Sequence, residues 1–159
     1  TSDKFSFFEA HKIFSEGIPD FNEHFRSRRM EIISYRNHYL DVNGELKDPR
    51  DLIESPIRKE GETLKKGFTG LRGAAELSWL CPKDWPKFME YEEQINAVIR
   101  NSSITAACVY SLAECKTDQV IGAAKTHPIV YTKRNQWCHQ IEKSDGCDAF
   151  LTSLKETHV

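Results

Sequence analysis

Leu71-Arg72-Gly73-Ala74-Ala75-Glu76-Leu77-Ser78-Trp79 is the stretch that decides how this chain folds. Gly70, Gly73, Ala74 and Ala75 leave it with little side-chain bulk, as in a strand closely approached by another backbone or a helix. The stretch ends on a carboxylate, a hydroxyl and an indole. A charge at the end of such a strand must face water, a partner or a ligand. Glu76 is therefore either a site residue or half of a salt bridge to Arg72 or a nearby lysine.

On the C-terminal side, Asp84 starts a helix with Trp85, Phe88, Met89, Ile95, Val98 and Ile99 on its buried side. Ile104 to Tyr110 follows as a nearly continuous apolar run, the pattern of a strand covered on both faces. Thr117 caps a short helix through Ala124. Pro128 to Tyr131 is a further strand. Residues 133–159 form a polar tail with a helix predicted near Ala149 to Lys155.

On the N-terminal side, Asp48 and Pro49 mark a helix start as N-cap and first helical residue. Pro56 should kink or restart that helix, and Gly67 can cap its end. Before it, Met30 to Tyr35 reads as a short strand and Asn43-Gly44 as a turn. Residues 1–28 are helical and rich in aromatics, broken by Gly17-Ile18-Pro19. They pack on the domain or meet another chain, which makes a homodimer one reading.

Helices and strands alternate in this order, which predicts an α/β fold with a mainly parallel sheet flanked by helices. The chain reads as a single domain with an α/β core over residues 30–132. Ligands in such sheets bind at the carboxyl ends of the strands. Those ends carry Ser34 and Tyr35, then Glu76, Ser78 and Trp79, then Tyr110 and Ser111. They form the candidate rim of a binding site.

Composition narrows the function. The charged residues make up 29% of the chain, yet the net charge is only −2. A nucleic-acid partner is not expected, because phosphate binding needs a basic surface. Arg26, Arg28 and Arg29 are read as the solvated end of a helix. No apolar run is long enough to cross a bilayer, and no signal peptide is evident, so no membrane insertion is expected and the location predicted is cytoplasmic. The five cysteines are widely spaced and form no C-x-x-C pair, which fits reduced thiols.

Catalytic motifs are lacking. Gly61 to Gly67 does not have the Gly-Lys-Ser/Thr order of a phosphate loop, and there is no G-x-G-x-x-G, G-x-S-x-G or H-E-x-x-H. Cys138-His139 is adjacent in sequence, which disfavours a catalytic pair, although either residue could be an axial haem ligand. Trp79 and Trp85 suit a pocket wall and a packed core equally. His127 either caps a helix or serves a site.

Several of these segments together resemble the MEDS domain, a sensory domain of methanogens and methylotrophs. Gly67 to Trp79 resembles its G-Y-x-G-L-R-V-T-G-E-M-S-W segment, with Gly73-Ala74-Ala75 in place of V-T-G. Tyr91-Glu92-x-x-Ile95-Asn96 resembles its Y-E-x-x-L/I-N helix. Cys108-Val109-Tyr110 resembles its C-x-Y strand and Thr126-His127-Pro128 its T-H-P step. The resemblance runs from about residue 30 to about residue 132. It implies a degenerate RecA-like three-layer arrangement without catalytic competence. It also implies a ligand-binding role in a histidine kinase or transcriptional regulator, sensing a small hydrocarbon-derived or one-carbon compound and passing the signal to an output domain. The ligand-binding residues expected on this basis are Arg72, Glu76, Ser78, Trp79, Tyr91, Glu92, Tyr110 and His127. No cofactor is required, with haem as a variant. A degenerate nucleotide-binding or enzymatic domain using Glu76 is the alternative.

Overall fold

A computed structural model describes the backbone of residues 1–134 and 137–142 and the side chains of residues 1–131. Three short helices come first: α1 (Phe7–Gly17), α2 (Phe21–Arg26) and α3 (Tyr35–Tyr39). Then follow α4 (Pro49–Lys65), β1 (Leu71–Glu76), α5 (Trp85–Ile99), β2 (Ile104–Val109) and α6 (Thr117–Thr126). Strands β3 (Ile129–Arg134) and β4 (Trp137–Glu142) end the described chain.

Local chemistry sets most of these boundaries. The Asp48 carboxylate accepts from the Arg50 N–H at 2.9 Å, and Pro49 takes the first helical position of α4. The helix continues through Pro56 instead of restarting there. It closes on Gly67, whose φ of +84° is left-handed. The Gly67 N–H donates to the Leu64 carbonyl and the Phe68 N–H to the Thr63 carbonyl, the two bonds of a Schellman cap. Asp84 begins α5 without a side-chain cap. Lys116, not Thr117, is the N-cap of α6, and its N–H donates to the Gln119 side chain.

Strands β1 and β2 are parallel, with Leu71 opposite Ile104 and Glu76 opposite Val109. Helix α5 makes the crossover that a parallel pair needs. The fold is thus mixed α/β around a small parallel sheet, and it differs from expectation in three places. Met30 to Tyr35 is not a strand. The Ser34 hydroxyl accepts from the Arg36 N–H to start α3, and the Tyr35 N–H donates to the Thr1 carbonyl. Local capping takes the backbone groups that a sheet would have used.

The strand predicted at Pro128 to Tyr131 exists as β3, but it does not extend the parallel sheet. It pairs antiparallel with β4, which occupies part of the predicted polar tail. A hairpin closes a far shorter loop than a crossover does. Cys138 and His139 lie on β4; the helix predicted near Ala149 to Lys155 lies outside the described residues.

Third, β2 is not covered on both faces. Thr105, Ala106, Ala107 and Val109 are exposed, while Ala75 and Cys108 face the core. Helices cover one side of the pair, and among the described residues no third strand joins it.

The core lies between this sheet and α3, α4 and α5. It contains Tyr35, Tyr39, Leu46, Leu52, Leu77, Phe88, Tyr91 and Ile95. Phe88 and Leu52 are fully enclosed, and each such side chain stabilises the fold by about 1.5–3 kcal/mol. The N-terminal aromatics form their own cluster, in which Phe21 stacks on Phe25 and meets His11 edge-on. The N-terminal segment also contacts the rest of the domain, through an ion pair from Lys4 to Glu114 and a hydrogen bond from the Tyr35 hydroxyl to Asp3.

Of Gly70 and Gly73, Gly70 is the one that permits a close approach. A Cβ there would sit 2.3 Å from the Ser103 carbonyl oxygen, which accepts from the Leu71 N–H. At Gly73 a Cβ would meet nothing within 4 Å. Gly70→Ala is therefore expected to destabilise the fold by about 1–3 kcal/mol in urea melts, and Gly73→Ala by less than about 0.5 kcal/mol. Equal effects at the two positions would refute the close-approach account.

Candidate functional site

Helix α5 buries Phe88, Tyr91, Glu92 and Ile95, the i, i+3, i+4, i+7 face of a helix. One member of this apolar stripe is a carboxylate. Glu92 is only 2% exposed, and a charge so enclosed needs compensation. Two residues supply it from neighbouring elements. The Cys108 thiol, on the core face of β2, donates to Glu92 Oε1 at 3.2 Å. His127 Nε2, at the end of α6, lies 3.0 Å from Glu92 Oε2. The other ring nitrogen, Nδ1, is 2.8 Å from the Ala123 carbonyl. A carbonyl only accepts, so Nδ1 carries a proton and Nε2 is the nitrogen turned to Glu92.

The surroundings are aromatic. Tyr39, Tyr91 and Tyr110 all have hydroxyl pKa values pushed up, first by burial and then by neighbouring charge that includes Glu92. The Cys108 thiol is pushed up by burial, then by the Glu92 charge and the hydrogen bond to it. These four groups are neutral at physiological pH. For His127, burial lowers the pKa, but the hydrogen bond to Glu92, the Ala123 carbonyl and the Glu92 charge together raise it above the usual value. Glu92 thus lies between the His127 ring, whose protonated form it favours, and a protonated thiol on its other side.

A second group lies at the end of β1. Glu76 Oε1 accepts from the Ser78 N–H at 2.8 Å, and the Ser78 and Ser2 hydroxyls are 3.3 Å apart. Burial raises the Glu76 pKa, but the Ser2 and Ser78 hydroxyls and the Ser78 N–H outweigh it, so the net shift is downward. Trp79 stacks on Tyr35 at 4.9 Å and on Tyr39 at 5.0 Å. Tyr39 also meets Tyr91 edge-on at 6.2 Å, which makes it the bridge between the two groups.

Three buried polar atoms here lack a hydrogen-bond partner: Glu76 Oε2, Trp79 Nε1 and Tyr110 Oη. No donor meets Glu76 Oε2 in bonding geometry, although the Ser2 hydroxyl is close enough to favour the carboxylate's charge. All three residues lie at or just past the carboxyl ends of the paired strands. Tyr110 packs against Trp85 and, edge-on, His127.

The eight expected residues thus separate. Tyr91, Glu92, Tyr110 and His127 surround one buried centre, while Glu76, Ser78 and Trp79 form the adjoining rim. Arg72 belongs to neither: it is exposed in mid-strand opposite Thr105. Glu76 turns to Ser78 instead, and among the described residues no ion pair joins it to Arg72. Tyr35, expected on the rim, is buried beneath Trp79. Cys108 was not among the expected site residues, and the one signal it carried in sequence was its place in the segment that resembles the family's C-x-Y strand. Glu92 carried a signal of its own, as the carboxylate inside the stripe of α5. Among the described residues, Glu92, Cys108 and His127 are the His, Cys or carboxylate side chains that come together closely enough to hold a metal ion. Two surface depressions, along Asn96, Arg100 and Thr126, do not include them.

The family model for MEDS, the methanogen/methylotroph, DcmR sensory domain, matches residues 6–128. The chain belongs to the MEDS family. The match starts at Ser6 and not near residue 30, so α1 to α3 are part of the MEDS domain. No curated protein and no solved structure matches the chain at a significant level. MEDS is a sensory family, and no helix of the described residues is long and apolar enough to cross a membrane.

The raised pKa of His127 has a definite sign. Protonated His127 stabilises the fold fully below the unfolded value of about 6.5, and that contribution disappears as pH rises through the folded value. In chelator-treated protein, the His127 ring is expected to titrate above 6.5 by NMR, and Glu92→Gln should bring the midpoint down. A wild-type midpoint below 6.5 would overturn the ion-pair assignment.

Proposed function

We propose that this MEDS domain is the ligand-binding sensory part of a cytoplasmic signalling protein, a histidine kinase or transcriptional regulator. The ligand is a small hydrocarbon-derived or one-carbon compound held at the carboxyl ends of β1 and β2. Glu76, Ser78 and Trp79 form one wall, and Tyr110, with Tyr91, Glu92 and His127 behind it, forms the other. The observation that carries this reading is the convergence there of three buried polar atoms without partners. Buried polar groups are nearly always satisfied, and exceptions mark strain, water or a ligand.

Family membership supports the sensory role. The β1–α5–β2 crossover is compatible with a degenerate RecA-like core, whose open sheet edges would be completed elsewhere. The rim is closed over the unpaired groups, so a ligand would act by favouring an open state, and that shift would pass to an output domain.

Thermal-shift screening tests this reading with one-carbon compounds, small thiols, nucleotides and haem. At 100 times its Kd a ligand adds about 2.7 kcal/mol, roughly 5–10 °C in Tm for a chain of this size. Tyr110→Phe, which removes only the hydroxyl, and Trp79→Phe, which removes the N–H together with part of the ring, should each weaken that ligand at least tenfold. If no class shifts Tm at saturation, sensing at this rim is wrong. A nucleotide as the sole hit would favour the nucleotide-binding alternative, and a Soret band the haem variant.

A further inference from the structure

Glu92, Cys108 and His127 come from three different elements, α5, β2 and α6, and aim at one point. Their ligand atoms all lie within 4.8 Å of one another. A tetrahedral ion with bonds of about 2.0–2.3 Å holds its ligand atoms about 3.3–3.8 Å apart. The thiol sulfur lies 3.2 Å from Glu92 Oε1 and the imidazole Nε2 3.0 Å from Glu92 Oε2, so with one carboxylate oxygen as ligand the three atoms reach that geometry by side-chain shifts of about an ångström.

We propose that Glu92, Cys108 and His127 bind one borderline divalent transition-metal ion of the zinc type, with a fourth coordination position open toward Tyr110. A thiolate, an imidazole and a carboxylate are the ligand types such an ion prefers, whereas calcium and magnesium would require oxygen ligands. Binding releases the Cys108 thiol proton and any proton on His127 Nε2 to solvent, and the two charges of the ion then balance the thiolate and the carboxylate.

Support around the ligands is already in place. A metal-binding histidine normally donates its second ring N–H to a carbonyl or carboxylate, which fixes the ring and directs the other nitrogen to the ion. His127 has this arrangement through Ala123. The Tyr110 hydroxyl is buried without a partner, and Tyr110 is two residues from Cys108, hence on the same face of the sheet. It is placed to hydrogen-bond a water or small ligand in the fourth position. Three ligands with one open position is the pattern of sites that exchange a ligand, as distinct from closed structural sites. The purpose of that exchange rests on the sensory reading above, but the metal chemistry does not.

The test is cobalt titration of the full chain after chelator treatment. The variant used has serine at Cys81, Cys115, Cys138 and Cys147, leaving Cys108 as its one thiol. The expected result is one Co²⁺ per chain, with a thiolate-to-cobalt charge-transfer band and four-coordinate d–d bands, both removed by Zn²⁺. Adding Cys108→Ser, which keeps a hydrogen-bond donor for Glu92, should abolish the charge-transfer band while circular dichroism stays native. His127→Gln should weaken binding at least tenfold. No cobalt bands in the Cys108-only protein, or a charge-transfer band that survives Cys108→Ser in the wild-type background, would overturn the site. Thermal shifts by organic compounds are read separately in Cys108→Ser, so sensing at the rim and metal binding can fail independently.

Discussion

A carboxylate is enclosed in the apolar face of α5, and the surrounding structure is organised to keep its charge tolerable. Glu92 holds the Cys108 thiol on one side and the His127 ring on the other, tying helix α5 to strand β2 and helix α6. Removing one partner of a buried pair typically costs about 3–5 kcal/mol, because the remaining charge has no solvent. The pair is thus a weak source of net stability but a strong constraint on position. It holds the end of α6, and with it the start of β3, against the sheet.

The constraint extends through the tyrosines. Their hydroxyls stay neutral beside Glu92, and their rings form the layer that separates the buried centre from the rim at Glu76 and Ser78. Tyr39 touches both sides, stacking on Trp79 and meeting Tyr91. A change at the rim that moved Trp79 would therefore press on the ring next to Glu92. This is a contiguous physical route by which a ligand at one group could alter the other, in a packed core that does not deform continuously.

Much of this was legible residue by residue. Asp48-Pro49 and Gly67 bounded α4, because caps act through neighbouring backbone groups. Glu76 and Trp79 were placed at a strand end, and Tyr91, Glu92, Tyr110 and His127 were marked through the family resemblance. The failures were non-local. Met30 to Tyr35 has strand composition but lacks a pairing partner, and Ser34 caps a helix there instead. The strand expected at Pro128 to Tyr131 exists as β3, yet it pairs with β4 and not with the parallel sheet.

The caps of α4 and the β1–α5–β2 unit follow from sequence, because they depend on periodicity and on contacts a few residues apart. The deciding stretch from Leu71 to Trp79 is among them, a slim strand ending in Glu76. The partner of that carboxylate is not: sequence offered Arg72, but Glu76 accepts from the Ser78 N–H instead. Likewise only tertiary structure brings Cys108 beside Glu92 and His127, from positions 16 and 35 residues from Glu92. Burial, which gives that trio its chemistry, is a property of the packed elements together and of no residue alone.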